Sequence, residues 1–92
     1  MSDIDVVYVG SGSLSKYVNA GKWVLDQDRP VKIMGRGNNI KTVIDVGEIL
    51  KRKVDDPKTS IESTTEEYED KKNNKLRNVS VISFEIYGKK KD

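Results

Sequence analysis

Ile4-Asp5-Val6-Val7-Tyr8-Val9-Gly10-Ser11-Gly12-Ser13-Leu14 carries a strand, a glycine break and a helix start in eleven residues. The β-branched and aromatic residues over 4–9 favour an extended chain of about six residues, and Gly10-Ser11-Gly12 stops it. Ser13 then stands where a helix N-cap belongs, because its hydroxyl can accept from an otherwise unpaired backbone N–H. Behind it Leu14, Tyr17, Val18, Gly21, Val24 and Leu25 recur along one face at helical spacing. A strand that runs directly into a helix opens a β-α-β unit.

The same pattern returns. Asp26 to Pro30 ends the first helix, and Val31-Lys32-Ile33-Met34 reads as a second strand. Gly35-Arg36-Gly37 punctuates it, with Asn38 or Asn39 as the next cap. A second amphipathic helix follows, with Ile40, Val43, Ile44, Gly47, Leu50 and Val54 along one stripe, and Asp55-Asp56-Pro57 closes it. Farther on, Thr59 to Thr65 has strand propensity around Ile61. Residues 78–87 form the strongest strand in the chain, with Ile82, Phe84 and Ile86 on one face. Between those strands lies Glu66 to Arg77, with four acids, four bases and only Tyr68 and Leu76 as apolar residues. It predicts a long mobile hairpin arm over about 66–77. A frayed basic tail is expected over about 88–92. The order β-α-β-α-β-β makes residues 1–92 a single α/β domain: an α+β two-layer sandwich, a mixed sheet carrying two helices on one face.

Composition limits the chemistry. Of 92 residues, 35% are charged, against roughly 25% in an average domain, yet the net charge is only +2. There is no Cys and no His, which removes disulfides, thiol and imidazole mechanisms and Cys/His zinc sites. Asp45 and Glu48 share a helix without an apolar setting to tune them, so no catalytic constellation emerges. No apolar run approaches the roughly 18 residues of a membrane span, and no signal-peptide pattern opens the chain. The expectation is a cytoplasmic, non-enzymatic binding domain with no cofactor, no metal, no small-molecule substrate and no membrane contact.

Two strand-to-helix junctions carry the candidate site. Gly10-Ser11-Gly12-Ser13-Leu14-Ser15-Lys16 points backbone N–H groups and a positive helix end outward, a setting suited to phosphate. It is not a P-loop, since Tyr17 follows Lys16 where Ser or Thr would hold magnesium, and the glycine before Lys is missing. Ser15 likewise stands where a dinucleotide fingerprint needs its third glycine. Gly35-Arg36-Gly37-Asn38-Asn39 adds a guanidinium that forks onto phosphate oxygens, and two amides. Lys16 and Lys41, each within about a turn of a helix start, add charge. Two such junctions side by side suggest a polyanion track; ordinary helix-capping loops are the other reading. Trp23 lies on the polar face of the first helix, to be covered by the hairpin or by a second subunit, with base stacking a lesser option. Lys51-Arg52-Lys53 is accounted for by the helix dipole. Lys71, Lys72, Lys75 and Arg77 are the hairpin's cations, set against Glu66, Glu67, Glu69 and Asp70.

Val6-Val7-Tyr8-Val9-Gly10, Tyr17-Val18, Gly35-Arg36-Gly37 with Ile40, and Val43-Ile44-Asp45-Val46-Gly47-Glu48-Ile49-Leu50 resemble the Alba family of archaeal nucleic-acid-binding proteins. Asn78 to Ile86 looks like that family's last strand. The resemblance spans roughly residues 5–88. It implies a fold similar to the C-terminal domain of bacterial translation initiation factor three. It also implies a homodimer or a heterodimer with an Alba-like paralogue, and binding of DNA or RNA backbone with little sequence preference, in chromatin or a ribonucleoprotein. The implied contacts are the first loop, the Arg-Gly loop and the hairpin arms.

The departures are specific. The family's Gly-Lys-Lys-Pro first loop is Ser11, Gly12 and Ser13 here, so acetylation control does not transfer, and Arg36-Gly37-Asn38 has one cation fewer. The aromatic associated with dimer–dimer contacts matches Val54. Each lost phosphate contact weakens binding and lowers the salt slope by roughly one unit. A weaker binder is expected, with Trp23 and Val54 in protein interfaces. The other reading is a protein-interaction subunit that pairs with a more basic paralogue or joins a ribonucleoprotein. An enzyme with a nucleotide site at Gly10–Lys16 stands third.

Overall fold

Alternation along the first strand separates two faces: Val7 turns toward the core, while Val6 and Tyr8 turn toward solvent. The computed structural model describes residues 4–90. In chain order it contains β1 (Asp5–Tyr8), α1 (Leu14–Leu25), β2 (Val31–Arg36), a 3-10 turn (Gly37–Asn39), α2 (Ile40–Lys51), β3 (Val54–Asp70) and β4 (Lys75–Lys90). The strands form one sheet in the order β1-β2-β4-β3. β1 and β2 are parallel, joined through α1, and β4 runs antiparallel to both β2 and β3. This is the two-layer mixed sheet that the sequence predicts.

The core lies between the helices and one sheet face. Tyr17, Val24 and Leu25 from α1 and Val43, Val46 and Leu50 from α2 meet Val31, Ile33, Phe84 and Ile86 from the sheet. Gly47 sets how closely α2 approaches: a Cβ there would stand 2.6–2.8 Å from three carbons of the Phe84 ring. Helix and sheet touch there because the glycine has no side chain.

The second half departs from the sequence reading in three places. α2 ends at Lys51, where the N–H groups of Arg52 and Lys53 bond back to the carbonyls of Ile49 and Leu50. Val54 therefore opens β3, opposite Lys90, and is 1% exposed. Its apolar character suits either the helical stripe or the reversal, since both point into the same core. Pro57 does not stop the chain. It sits in a register shift between Asp55 and Lys58, with Asp56 left-handed at φ 47°, and the ladder resumes beyond it.

The long hairpin arm is present as expected, and the second difference is how far its strands pair. The arm is a two-stranded ribbon, paired from Lys58↔Tyr87 to Asp70↔Lys75 and turning only over residues 71–74. Its charges are segregated by strand: Glu66, Glu67, Glu69 and Asp70 lie on β3, and Lys75 and Arg77 on β4. Across the ladder only Asp70 stands directly opposite a cation, Lys75, while Glu66, Glu67 and Glu69 face Val79, Asn78 and Leu76. At the tip the Asp70 carboxylate accepts from the Lys72 N–H and Asn73 Nδ2, and pairs with Arg77 Nε at 3.0 Å. Third, residues 88–90 of the expected tail belong to β4, paired with the start of β3; Lys91 and Asp92 lie outside the described residues.

Gly47→Ala is expected to destabilise the domain. Alanine gains about 1 kcal/mol of helix propensity, but overpacking against a fixed ring costs about 1–3 kcal/mol. Thermal unfolding followed by circular dichroism should show a lowered midpoint, by roughly 4–8 °C per kcal/mol lost. A raised midpoint would contradict the close approach.

Candidate functional site

Because β1 and β2 are parallel, with Tyr8 opposite Met34, their carboxyl ends lie side by side and bring both junctions to one end of the sheet. Arg36 pairs with Val81, and from there β4 and β3 continue past the end of β2 as the free ribbon. The two loops and the arm therefore converge on the same end. Trp23 lies in the last turn of α1, and Lys51-Arg52-Lys53 end α2 and begin the turn after it, at the opposite end.

The first loop is organised by a tyrosine. Ser13 caps α1 from an extended conformation, its Oγ accepting from the Lys16 N–H at 3.4 Å. The Gly10 and Gly12 N–H groups both donate to the Tyr17 hydroxyl, at 2.9 and 2.7 Å, and Tyr17 is 5% exposed. The expected outward-pointing cradle is thus partly used up inside the chain, with the Gly12 amide committed to Tyr17. Ser11, Ser13 and Lys16 remain exposed. Sequence reading places Tyr17 on the core face but not its hydroxyl. Helical side chains lean toward the N-terminus, and that lean carries the phenol under the preceding loop.

At the second junction Gly37 takes φ +58°, a left-handed turn that glycine adopts without strain, and sends the chain from β2 into the 3-10 turn. Asn39 holds the N-cap position of α2, but its side chain makes no capping bond. The Ile40 N–H bonds instead to the Gly37 carbonyl, so the turn's backbone does the capping. Arg36 is exposed and its Nη1 lies 3.3 Å from Glu66 Oε2, reaching across β4 to the ribbon. Beneath that pair Val81 is 7% exposed.

The cations singled out in sequence divide into two groups. Arg36, Lys41 and Arg77 each face a carboxylate of this chain: Glu66, Asp45 at 3.0 Å, and Asp70. Among the described residues, Lys16, Lys71, Lys72 and Lys75 make no ion pair. Exposed pairs contribute about 0–1 kcal/mol each, so a phosphate can displace the carboxylate, although the carboxylate still repels it. Asn38 is exposed and Gly37 shapes the loop. Trp23 is 64% exposed, with the Arg29 guanidinium 5.9 Å from its ring, and the hairpin does not cover it. Val54 cannot serve as a contact from its buried position in this fold, which corrects its assignment to an interface. Tyr87, far from the junctions, has its phenol raised above the usual value, first by desolvation and then by the Glu85 carboxylate that accepts its hydrogen bond.

Three residues at the junction end escape the sequence reading: Tyr17, Glu66 and Tyr8. Glu66 appears in sequence only as part of a solvated charge run. Tyr8 carries a usable signal, because strand alternation puts it opposite the core-facing Val7, on the face that a two-layer fold leaves without helices.

A helix-backed sheet with two glycine-bearing junctions and a charged ribbon at one end defines a small α+β binding module. The sequence model of the Alba family matches residues 5–67, more than half of the chain, and the protein belongs to the Alba family. Alba from Thermoplasma volcanium superposes with a TM-score of 0.79 at 27% identity, covering 90% of this chain and 99% of that one. ALBA1 from Trypanosoma brucei shares the fold, with a TM-score of 0.68 at 20% identity, over 97% of this chain and 73% of that one. No curated protein matches the sequence. Alba proteins are generally non-enzymatic, bind nucleic acids and oligomerise.

Tyr17→Phe removes the acceptor of two loop N–H groups. Faster hydrogen exchange at Gly10 and Gly12 and a stability loss of about 1 kcal/mol are expected. Unchanged exchange at both amides would show that the hydroxyl does not hold the loop.

Proposed function

We propose that this protein is a dimeric, non-enzymatic nucleic-acid-binding protein that contacts DNA or RNA backbone with little sequence preference. It would act in the cytoplasm or on the chromosome. The observation that supports this most is the convergence of the two junctions and the ribbon on one end of the sheet. Ser11, Ser13 and Lys16 border the first loop, Arg36, Asn38, Asn39 and Lys41 the second, and Lys71, Lys72, Lys75 and Arg77 the ribbon. Phosphate contacts of this kind position a duplex without reading bases. Affinity is reduced relative to a typical family member, because Arg36, Lys41 and Arg77 are each neutralised by a neighbouring acid. A homodimer would double the track. A heterodimer with a more basic paralogue would supply the charge that a net +2 lacks.

A second reading, a subunit whose main task is protein contact, is favoured by the exposed Trp23 indole. It predicts a second small chain in equal amount on purification, and no retention of nucleic acid by this chain alone.

Titrating duplex DNA and structured RNA against salt separates the readings. Retention at low salt that weakens steeply with added salt is expected; no retention of either would overturn the proposal. Arg36→Ala should weaken binding and lower the salt slope by about one unit per site occupied. Glu66→Gln frees the guanidinium and removes a repelling charge, so tighter binding of the same duplex is expected. Equal affinity of wild type, Arg36→Ala and Glu66→Gln would remove Arg36 from the site.

A further inference from the structure

We infer that the concavity between the two junctions takes a single unpaired nucleobase, so that the protein holds single-stranded segments by stacking as well as by backbone charge. This rests on the nucleic-acid reading above and names a ligand class that phosphate contacts do not supply. The concavity, of about 190 Å³, lies at the carboxyl ends of the parallel strands β1 and β2. That is where open sheets with parallel strands place ligands. Its volume falls below the roughly 300–1,000 Å³ of pockets that enclose a drug-sized molecule. It suits one planar ring system, with the sugar and phosphate outside.

The lining has the chemistry of a base site. Tyr8 stands on the helix-free face, 73% exposed, beside its strand partner Met34, and Val81 forms apolar floor. An aromatic ring this open has lost little by way of packing and offers a stacking surface to any base. Asn39 borders the same space, and its amide, not used for capping, holds both a donor and an acceptor for a base edge. The Arg36–Glu66 pair closes the far side. When Arg36 turns to the phosphate of the bound nucleotide, the Glu66 carboxylate is released to accept from a base N–H. Duplex DNA cannot use the concavity without unstacking, whereas a loop, a bulge or a single strand presents splayed bases directly.

Fluorescence anisotropy on the full chain tests this with three labelled probes: a single-stranded oligonucleotide, an abasic strand of equal length and charge, and a blunt duplex. Wild type should hold the single strand more tightly than the abasic strand. Tyr8→Ser should lower single-strand affinity roughly five- to hundredfold, the range of one stacked base, leaving the abasic strand and duplex unchanged; Tyr8→Phe should behave as wild type. Because Tyr8 is exposed, circular dichroism should show all variants folded. Equal binding of the single and abasic strands by wild type, with duplex binding intact, would overturn the base site alone. So would a single-strand loss that follows Trp23→Ser in place of Tyr8→Ser, or an equal loss on all three probes. Failure of wild type to retain any probe would overturn the nucleic-acid reading beneath it.

Discussion

Gly47 lets α2 lie directly on the ring of Phe84, and the arrangement of the junction end follows from that approach. With a side chain at 47, the helix would have to lift away from β4 by enough to clear ring carbons less than 3 Å distant. Gly21 makes the corresponding allowance between the helices, since a Cβ there would meet the Leu50 side chain at 2.4 Å. Helix α2 begins immediately after the Arg36 junction, so its seating on the sheet also places Asn39 and Lys41. The junction end is thus held by contacts made deep in the core, on the other side of the strands from the proposed nucleic-acid surface.

Electrostatics at that end is self-limiting. The guanidinium best suited to phosphate is met by Glu66 from a strand that is not its neighbour, with Val81 shielded beneath the pair. Lys41 and Arg77 are engaged in the same way. These contacts are exposed and individually weak, so their effect falls on competition with incoming phosphate more than on stability. The near-neutral net charge is therefore a local property of the site as well as a bulk one. The ribbon adds one such pair, Arg77 with Asp70 at its tip, and among the described residues Lys71, Lys72 and Lys75 make no ion pair.

The two β-to-α passages were legible because each carries a local signal: β-branched residues, then glycine, then a capping residue and an apolar stripe. The Ser13 cap and the limits of α1 follow from it directly. Val54 shows where such signals stop. One apolar residue fits both a last helical turn and the first position of a strand, and only the reversal at Arg52 and Lys53 decides between them. The arm is legible as a hairpin, but the extent of its strand pairing is not, for a related reason. Low hydrophobicity and cancelling charge describe a solvated loop as well as a ribbon paired through its backbone.

What the sequence determines by itself is the order of elements, the two junctions, the core face of each helix and the absence of thiol and imidazole chemistry. These depend on neighbours within a few positions along the chain. The tertiary structure alone decides that Tyr17 ties down the loop before it, that Arg36 meets Glu66 thirty residues away, and that Tyr8 and Asn39 border one concavity. Those relations depend on strand order and register, which bring distant side chains within a few ångströms, and no local pattern encodes them.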